Sequence, residues 1–348
     1  MIINQKTQIV KFSPLHRWCV TATLVSLLSA CGGEDNNTTH VPSLNGDIQA
    51  TPHKPALPSD SALTVVQQVL QAQHSLLANR ASYLETLLLT DGLHTKTVNL
   101  GAIIGYTVDL VAPIGQYAYT QTIGCNGGGM VSLEPFLANP ENGLMPGDYA
   151  QVRFENCTDP QGVSLTGGVT AIFSFVLGEL RVSPQYSFTA DIEFSDLQIS
   201  DSANFNALIT GDLSLTQYVS SSTVTQDIIN NWVEISGGQQ LQMNAIDTAR
   251  TIERERNQFV SEAAGRLATG RLNHAVTYDT SIPFEGGINQ PPVSGAMEVL
   301  TADNQKITFS ILENNKVAIR REDRQTGITE EAISVDWATL LNTSSGPY

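Results

Sequence analysis

The chain has 348 residues, 41% of them apolar, with 18 Lys and Arg against 34 Asp and Glu, for a formal net charge of −16. So acidic a surface repels nucleic acid and anionic lipid head groups, both of which call for clustered basic side chains. Length and apolar content allow a substantial core.

The first thirty residues carry Lys6, Lys11 and Arg17 but no Asp or Glu, and run into the apolar stretch 18–28. A basic segment followed by a short apolar one reads as an export signal. A spanning helix needs about 20 apolar residues, and this run is shorter before it meets Gly32, Gly33, Glu34 and Asp35. The run closes on Leu28-Ser29-Ala30-Cys31, which resembles the lipobox of bacterial lipoprotein precursors. The resemblance implies cleavage before Cys31, a diacylglyceryl group on its thiol and acylation of the new amine. More than one acyl chain on a residue suffices for stable anchoring. Gly32 in place of the Asp that retains such proteins in the inner membrane implies the outer membrane. Removing residues 1–30 takes away three of the basic residues and none of the acidic ones, so the mature chain is more acidic still.

Of the four cysteines, Cys19 leaves with the signal and Cys31 takes lipid, so Cys125 and Cys157 remain. Two cysteines in an oxidising compartment predict one disulfide, contributing about 3 to 4 kcal/mol in the chain-entropy model. A reactive or metal-binding pair is the alternative, but it lacks Cys-x-x-Cys spacing and a nearby histidine.

Residues 31–58 are rich in Gly, Asn, Thr and Pro, including Pro42, Pro52, Pro55 and Pro58, and read as a flexible tether. Ser59, Asp60 and Ser61 offer N-cap chemistry, and Leu63, Val66, Leu70, Leu77, Ala81, Leu84 and Leu88 follow at helical spacing. An amphipathic helix over 59–91 is expected, packed on the body or on a partner helix, with Gln73 and His74 interrupting its stripe.

From Thr95 the period changes to two. Tyr186, Phe188, Ala190, Ile192 and Phe194 alternate with polar residues, and similar patterns occupy 169–177 and 306–311. Turn signals at Asn126-Gly127, 141–143, Gly237-Gly238 and Asn314-Asn315 predict antiparallel hairpins. Residues 244–268 are read as strand, although Arg250 to Arg256 has a helical composition. A repeat of about 42 to 44 residues is suggested by Leu165-Thr166-Gly167, Ile209-Thr210-Gly211 and Val293-Ser294-Gly295, with one copy drifted. Corners at Phe154-Glu-Asn-Cys157 and Phe194-Ser-Asp-Leu197 precede the first two. Glycine there fits a bulge.

The segments Cys125-Asn-Gly-Gly-Gly129, Pro146-Gly-Asp148, Phe154 to Thr158 and Ser164 to Gly168 resemble a pattern in uncharacterised exported β-rich proteins of Gram-negative bacteria. So do Tyr278-Asp-Thr280, Pro292 to Gly295 and Asp336-Trp-Ala338 near the end. The resemblance implies a shared β architecture and location, and carries no catalytic residues.

The predicted fold is mainly β, an antiparallel sandwich or stacked hairpins with one N-terminal amphipathic helix. Residues 92–348 form the β-rich domain, with a possible division into two subdomains near 240. An EF-hand loop at 138–149 fails because Ala138, Pro140 and Tyr149 stand where oxygen ligands belong, leaving an irregular cation site on Glu141 and Asp148. No nucleophile elbow, zinc helix or phosphate loop occurs, and the β region has only His94 and His274 as histidines. Glu253 to Arg256 and Arg320 to Arg324 read as charged wet faces or hairpin tips. A membrane-spanning barrel is set aside, because Ser345-Gly-Pro347 is no terminal strand and a lipid anchor would be redundant. The leading expectation is a non-catalytic envelope lipoprotein, without cofactor, held to the membrane by lipid on Cys31 and serving structure or contact with an envelope protein. Carriage of an apolar ligand in a curved sheet closed by the helix, and carboxylate-dependent hydrolysis of polysaccharide, are the alternatives.

Overall fold

The computed structural model describes residues 60–77, 88–90, 96–112, 120–288, 290–313 and 315–341. The signal, Cys31 and the tether lie outside them. The chain begins with α1 (Ala62–Leu76), a ribbon of β1 (Leu88–Thr90) and β2 (Lys96–Val98), and α2 (Leu100–Val111). It then enters a sheet through β3 (Gln121–Gly124), β4 (Met130–Phe136), β5 (Tyr149–Thr158), β6 (Ser164–Leu177), β7 (Tyr186–Ser200) and β8 (Asn206–Val219). The centre holds β9 (Thr223–Gly237), β10 (Leu241–Glu253), β11 (Gln258–Thr269) and β12 (Val276–Gly287). The far end is β13 (Pro292–Thr301), β14 (Gln305–Ile311), β15 (Lys316–Asp323) and β16 (Thr329–Asp336), followed by α3 (Trp337–Leu341).

Each strand pairs antiparallel with its neighbours in sequence, so β3 to β16 form one 14-stranded meander. The chain is thus mainly β and antiparallel, but the layering differs from the expected sandwich or stacked hairpins. Alternation buries one face of every long strand, and that face needs a cover. Helices supply it: α1 packs on β11, β14 and β15, and α2 on β4. The ladder runs unbroken past residue 240, with β9 and β10 paired from Leu241↔Ile235 to Glu253↔Thr223.

Ser61 caps α1, its Oγ accepting from the Thr64 N–H at 3.1 Å. Val65, Val69 and Leu76 are fully buried, each worth about 1.5 to 3 kcal/mol relative to exposure. The predicted helix over 59–91 is too long. Leu77 is already extended, and Leu88–Thr90 pairs as a strand with Lys96–Val98; Ala81 and Leu84 lie outside the described residues. The unexpected α2, capped by Asn99, lies where strand was predicted. Leu100, Ile103, Ile104, Val108 and Val111 are all buried, and only Gly105, Tyr106 and Asp109 form a narrow part-exposed face, so the helical period is weakly marked.

The start of α1 is tied to the far end of the chain. Asp60 accepts from the backbone and side-chain N–H groups of Asn273 at 2.8 and 2.9 Å, and Glu331 accepts from the Ala62 N–H at 3.3 Å. Arg321 donates to the Asp60 carbonyl at 2.9 Å and faces Glu330 and Glu331 at 3.4 and 3.7 Å. Arg321 is therefore a tether for α1 rather than part of a solvated tip.

The two predicted corners, at Asn156 and Asp196, are β-bulges, and a third that was not predicted lies at Ala245. These residues adopt φ of 49°, 48° and 49°, and the register slips around each. Gly167 (φ 122°) sits beside the second, where a Cβ would collide with the Asp196 carbonyl. Gly211 (φ 112°) makes the same close approach to the Trp232 carbonyl. Only glycine tolerates both the dihedral and the contact.

Candidate functional site

Along β9 the inward residues are Gln226, Ile228 and Asn230, which are buried. Continued alternation would turn Trp232 inward as well. Instead the register slips between Asp212/Leu213 and Trp232/Asn230, and Val233 and Ile235 take the buried side. The extra residue rotates Trp232 to solvent, leaving it 38% exposed. Asn230, only 2% exposed, holds this geometry: its Oδ1 accepts from the Ile246 N–H at 2.8 Å and its Nδ2 donates to the Met243 carbonyl at 3.4 Å. One buried amide thus joins the slip in β9 to the Ala245 bulge in β10.

Trp232 belongs to a row of outward side chains that crosses the sheet in register. Thr170 faces Glu193, Glu193 faces Asp212, Asp212 faces Trp232, Trp232 faces Asn244, and Asn244 faces Arg266. Glu193, Asp212 and Arg266 are exposed. The row offers carboxylate acceptors, an amide, a guanidinium and one aromatic surface.

One step toward the hairpin ends, Glu234, Gln240, Gln242 and Thr269 line a groove of about 260 Å³ on the same face. Around the β9–β10 hairpin a second pocket of about 270 Å³ opens toward α1, between Gln68, Gln71, Lys96, Gln239 and Arg271. Its amides are held in place. Gln71 Nε2 donates to Thr97 Oγ1 at 2.6 Å, Gln68 Nε2 to Gln71 Oε1 at 3.3 Å, and Gln239 Oε1 accepts from the Val98 N–H at 2.8 Å. Lys96 is paired with Asp201. Both pockets share Gln240, Leu241, Thr269 and Gly270, so one hairpin end carries polar recesses on its two sides.

Cys125 and Cys157 form a disulfide with their Cα atoms 5.4 Å apart. It pins the β3–β4 turn to the end of β5, beside the bond from the Gly127 N–H to the Thr158 carbonyl at 2.9 Å. Asp148 is spent on its own loop, accepting from the Ala138 and Met145 N–H groups at 2.8 Å each. Among the described residues no group of three or more His, Cys, Asp or Glu could hold a metal ion. His94 lies outside the described residues, and His274 lines a recess of about 10 Å³ beside Asp60 and Arg321. No described helix is long and apolar enough to cross a membrane.

Beneath the sheet, two groups were not anticipated from sequence. Arg250 is buried on the inner face of β10, its guanidinium 5.1 Å from the Phe259 ring centroid. Burial, aided by the Arg250 charge, holds the His74 imidazole on α1 below its ordinary value. Trp232 was missed for a different reason, since simple alternation assigns it to the core. The only hint in the sequence was the pair Asn230-Asn231, an unusual interruption of a strand. Comparison with protein-family models, curated proteins and solved structures finds no match to this chain.

Proposed function

We propose that this chain is a lipid-anchored, non-catalytic lipoprotein of the outer membrane whose β domain presents a contact surface to another component of the envelope. The anchoring half of the reading rests on the lipobox ending at Cys31 and on the implied outer-membrane sorting at Gly32. A disulfide between Cys125 and Cys157 accords with an oxidising compartment. The contact half rests above all on one observation: a strand slip, held by a buried asparagine, turns Trp232 into solvent where alternation would bury it. Bulges that re-aim side chains recur at functional surfaces. The carboxylates Glu193 and Asp212 face each other on an exposed sheet face rather than in a cleft, which favours binding over hydrolysis. Below the sheet α1 packs its buried apolar side chains directly on β11, β14 and β15, which disfavours an apolar cargo between them.

Two experiments test the two halves. Cys31→Ala should abolish incorporation of a labelled fatty acid and release the chain from the membrane fraction; unchanged labelling overturns the anchor. A photo-crosslinking residue in place of Thr170 should capture an envelope component in cells, and one in place of the buried Ile228 should not. Equal capture from both positions overturns the contact surface.

A further inference from the structure

We infer that the row from Glu193 to Arg266 binds an uncharged saccharide chain lying across β7 to β11, with Trp232 as its stacking platform. The inference rests on the reading of this sheet face as the working surface, and it names the ligand class.

Four observations point to a sugar. First, the row lies in mid-sheet, where β7 to β11 already pair their backbones on both sides. A ligand there meets side chains alone, so strand addition by a peptide has nothing to bond to. Second, Trp232 is the one aromatic in the row, flanked in register by Asp212 and Asn244 and, one strand further on each side, by Glu193 and Arg266. An aromatic face among acceptors and donors matches a ring whose C–H face is apolar and whose hydroxyls both give and take hydrogen bonds. Third, the face carries Glu193, Asp212 and Glu234 on a chain of net charge −16, which repels polyanions and favours an uncharged ligand. Fourth, five strands at about 4.8 Å spacing give a track of about 19 Å, the reach of a short oligosaccharide. The groove beside Glu234 and Gln242 adjoins that track and can take a branch or a neighbouring unit.

The test is affinity electrophoresis of the full chain in native gels containing dextran, mannan or laminarin as neutral probes and polygalacturonate as an anionic one. Retardation by at least one neutral polysaccharide is expected, with none by polygalacturonate. Trp232→Ala should weaken that retardation about tenfold or more, the usual loss when one anchoring aromatic is removed. Asp212→Ala should weaken it too, whereas Asp279→Ala, an exposed carboxylate on the same face but off the row, should leave it unchanged. The unfolding midpoint of each variant verifies that its fold is kept. Failure of all three neutral probes, or full retention by Trp232→Ala, overturns the saccharide. If the probes fail while crosslinking through residue 170 captures a protein, the contact surface stands and only the ligand class falls. If both fail, the working surface falls with it.

Discussion

Replacing Asn230 by alanine tests whether one buried amide sets the course of the central strands. Its Oδ1 serves the Ile246 N–H at 2.8 Å in a site where Asn230 is 2% exposed, so water has no ready way in. An abandoned buried N–H costs about 1 to 3 kcal/mol, and the amide volume left empty adds about 1 more. The expected loss is about 2 to 4 kcal/mol. With a urea slope of about 3 kcal/mol/M, that lowers the midpoint by about 1 M. Far-UV circular dichroism through a urea titration reads it directly. Asn231→Ala, the exposed neighbour, is the control, and should stay within about 0.5 kcal/mol of the parent, as surface substitutions do. Equal midpoints for the two variants would refute the role given to Asn230, and with it the account of why Trp232 faces water.

Removing the disulfide with Cys125→Ser and Cys157→Ser together should cost about 3.7 kcal/mol for a separation of 32 residues, read as a lower midpoint that reductant no longer changes. Tyr278 is buried with no partner for its hydroxyl, and that burial pushes its phenol above the ordinary range. Tyr278→Phe should therefore leave the melting temperature unchanged or raise it; a loss above about 1 kcal/mol would reveal a hydrogen bond there. His74 has a folded pKa below its ordinary value of 6.5, so around and below that pH the unfolded chain binds the extra proton. Its contribution to stability is complete above about 6.5 and is lost as pH falls from there toward the lowered value. His74→Gln should flatten the midpoint difference between about pH 7.5 and pH 5.5.

Strands with one wet and one dry face were legible in the sequence. Tyr186 to Phe194 alternates without fault, and the structure buries the predicted side chains. The corners at Asn156 and Asp196 were legible as well, because both residue types tolerate a left-handed backbone and both precede a glycine in the next strand. The matching corner at Ala245 was hidden, since alanine carries no such signal and its geometry is imposed from the neighbouring strand through Asn230. For the same reason Trp232 was unreadable: its direction is set by a slip that depends on a partner in another strand. The second helix vanished into its own hydrophobicity, because a segment with only Gly105, Tyr106 and Asp109 on its part-exposed face displays a faint period. Arg321 read as a solvated charge and Arg250 only as part of a run of helical composition, yet both serve the interior, one against the start of α1 and the other over Phe259. Their roles are written in residues that lie 261 and 9 positions away.

A meander lets each strand dock on the one just completed, so its ladder contacts are short in sequence and the sheet can grow by one edge as the chain arrives. The bond between Ala62 and Glu331 obeys another rule, for it spans 269 positions. The seat of α1, which includes β11 and β14, is not complete until β15, β16 and α3 are in place, although α1 precedes the whole sheet in the chain. During vectorial emergence α1 must wait with its apolar face incompletely covered, and its final docking becomes the closing event of folding. A chain stopped short of β15 would hold most of its sheet and still show that face to the surrounding folding machinery.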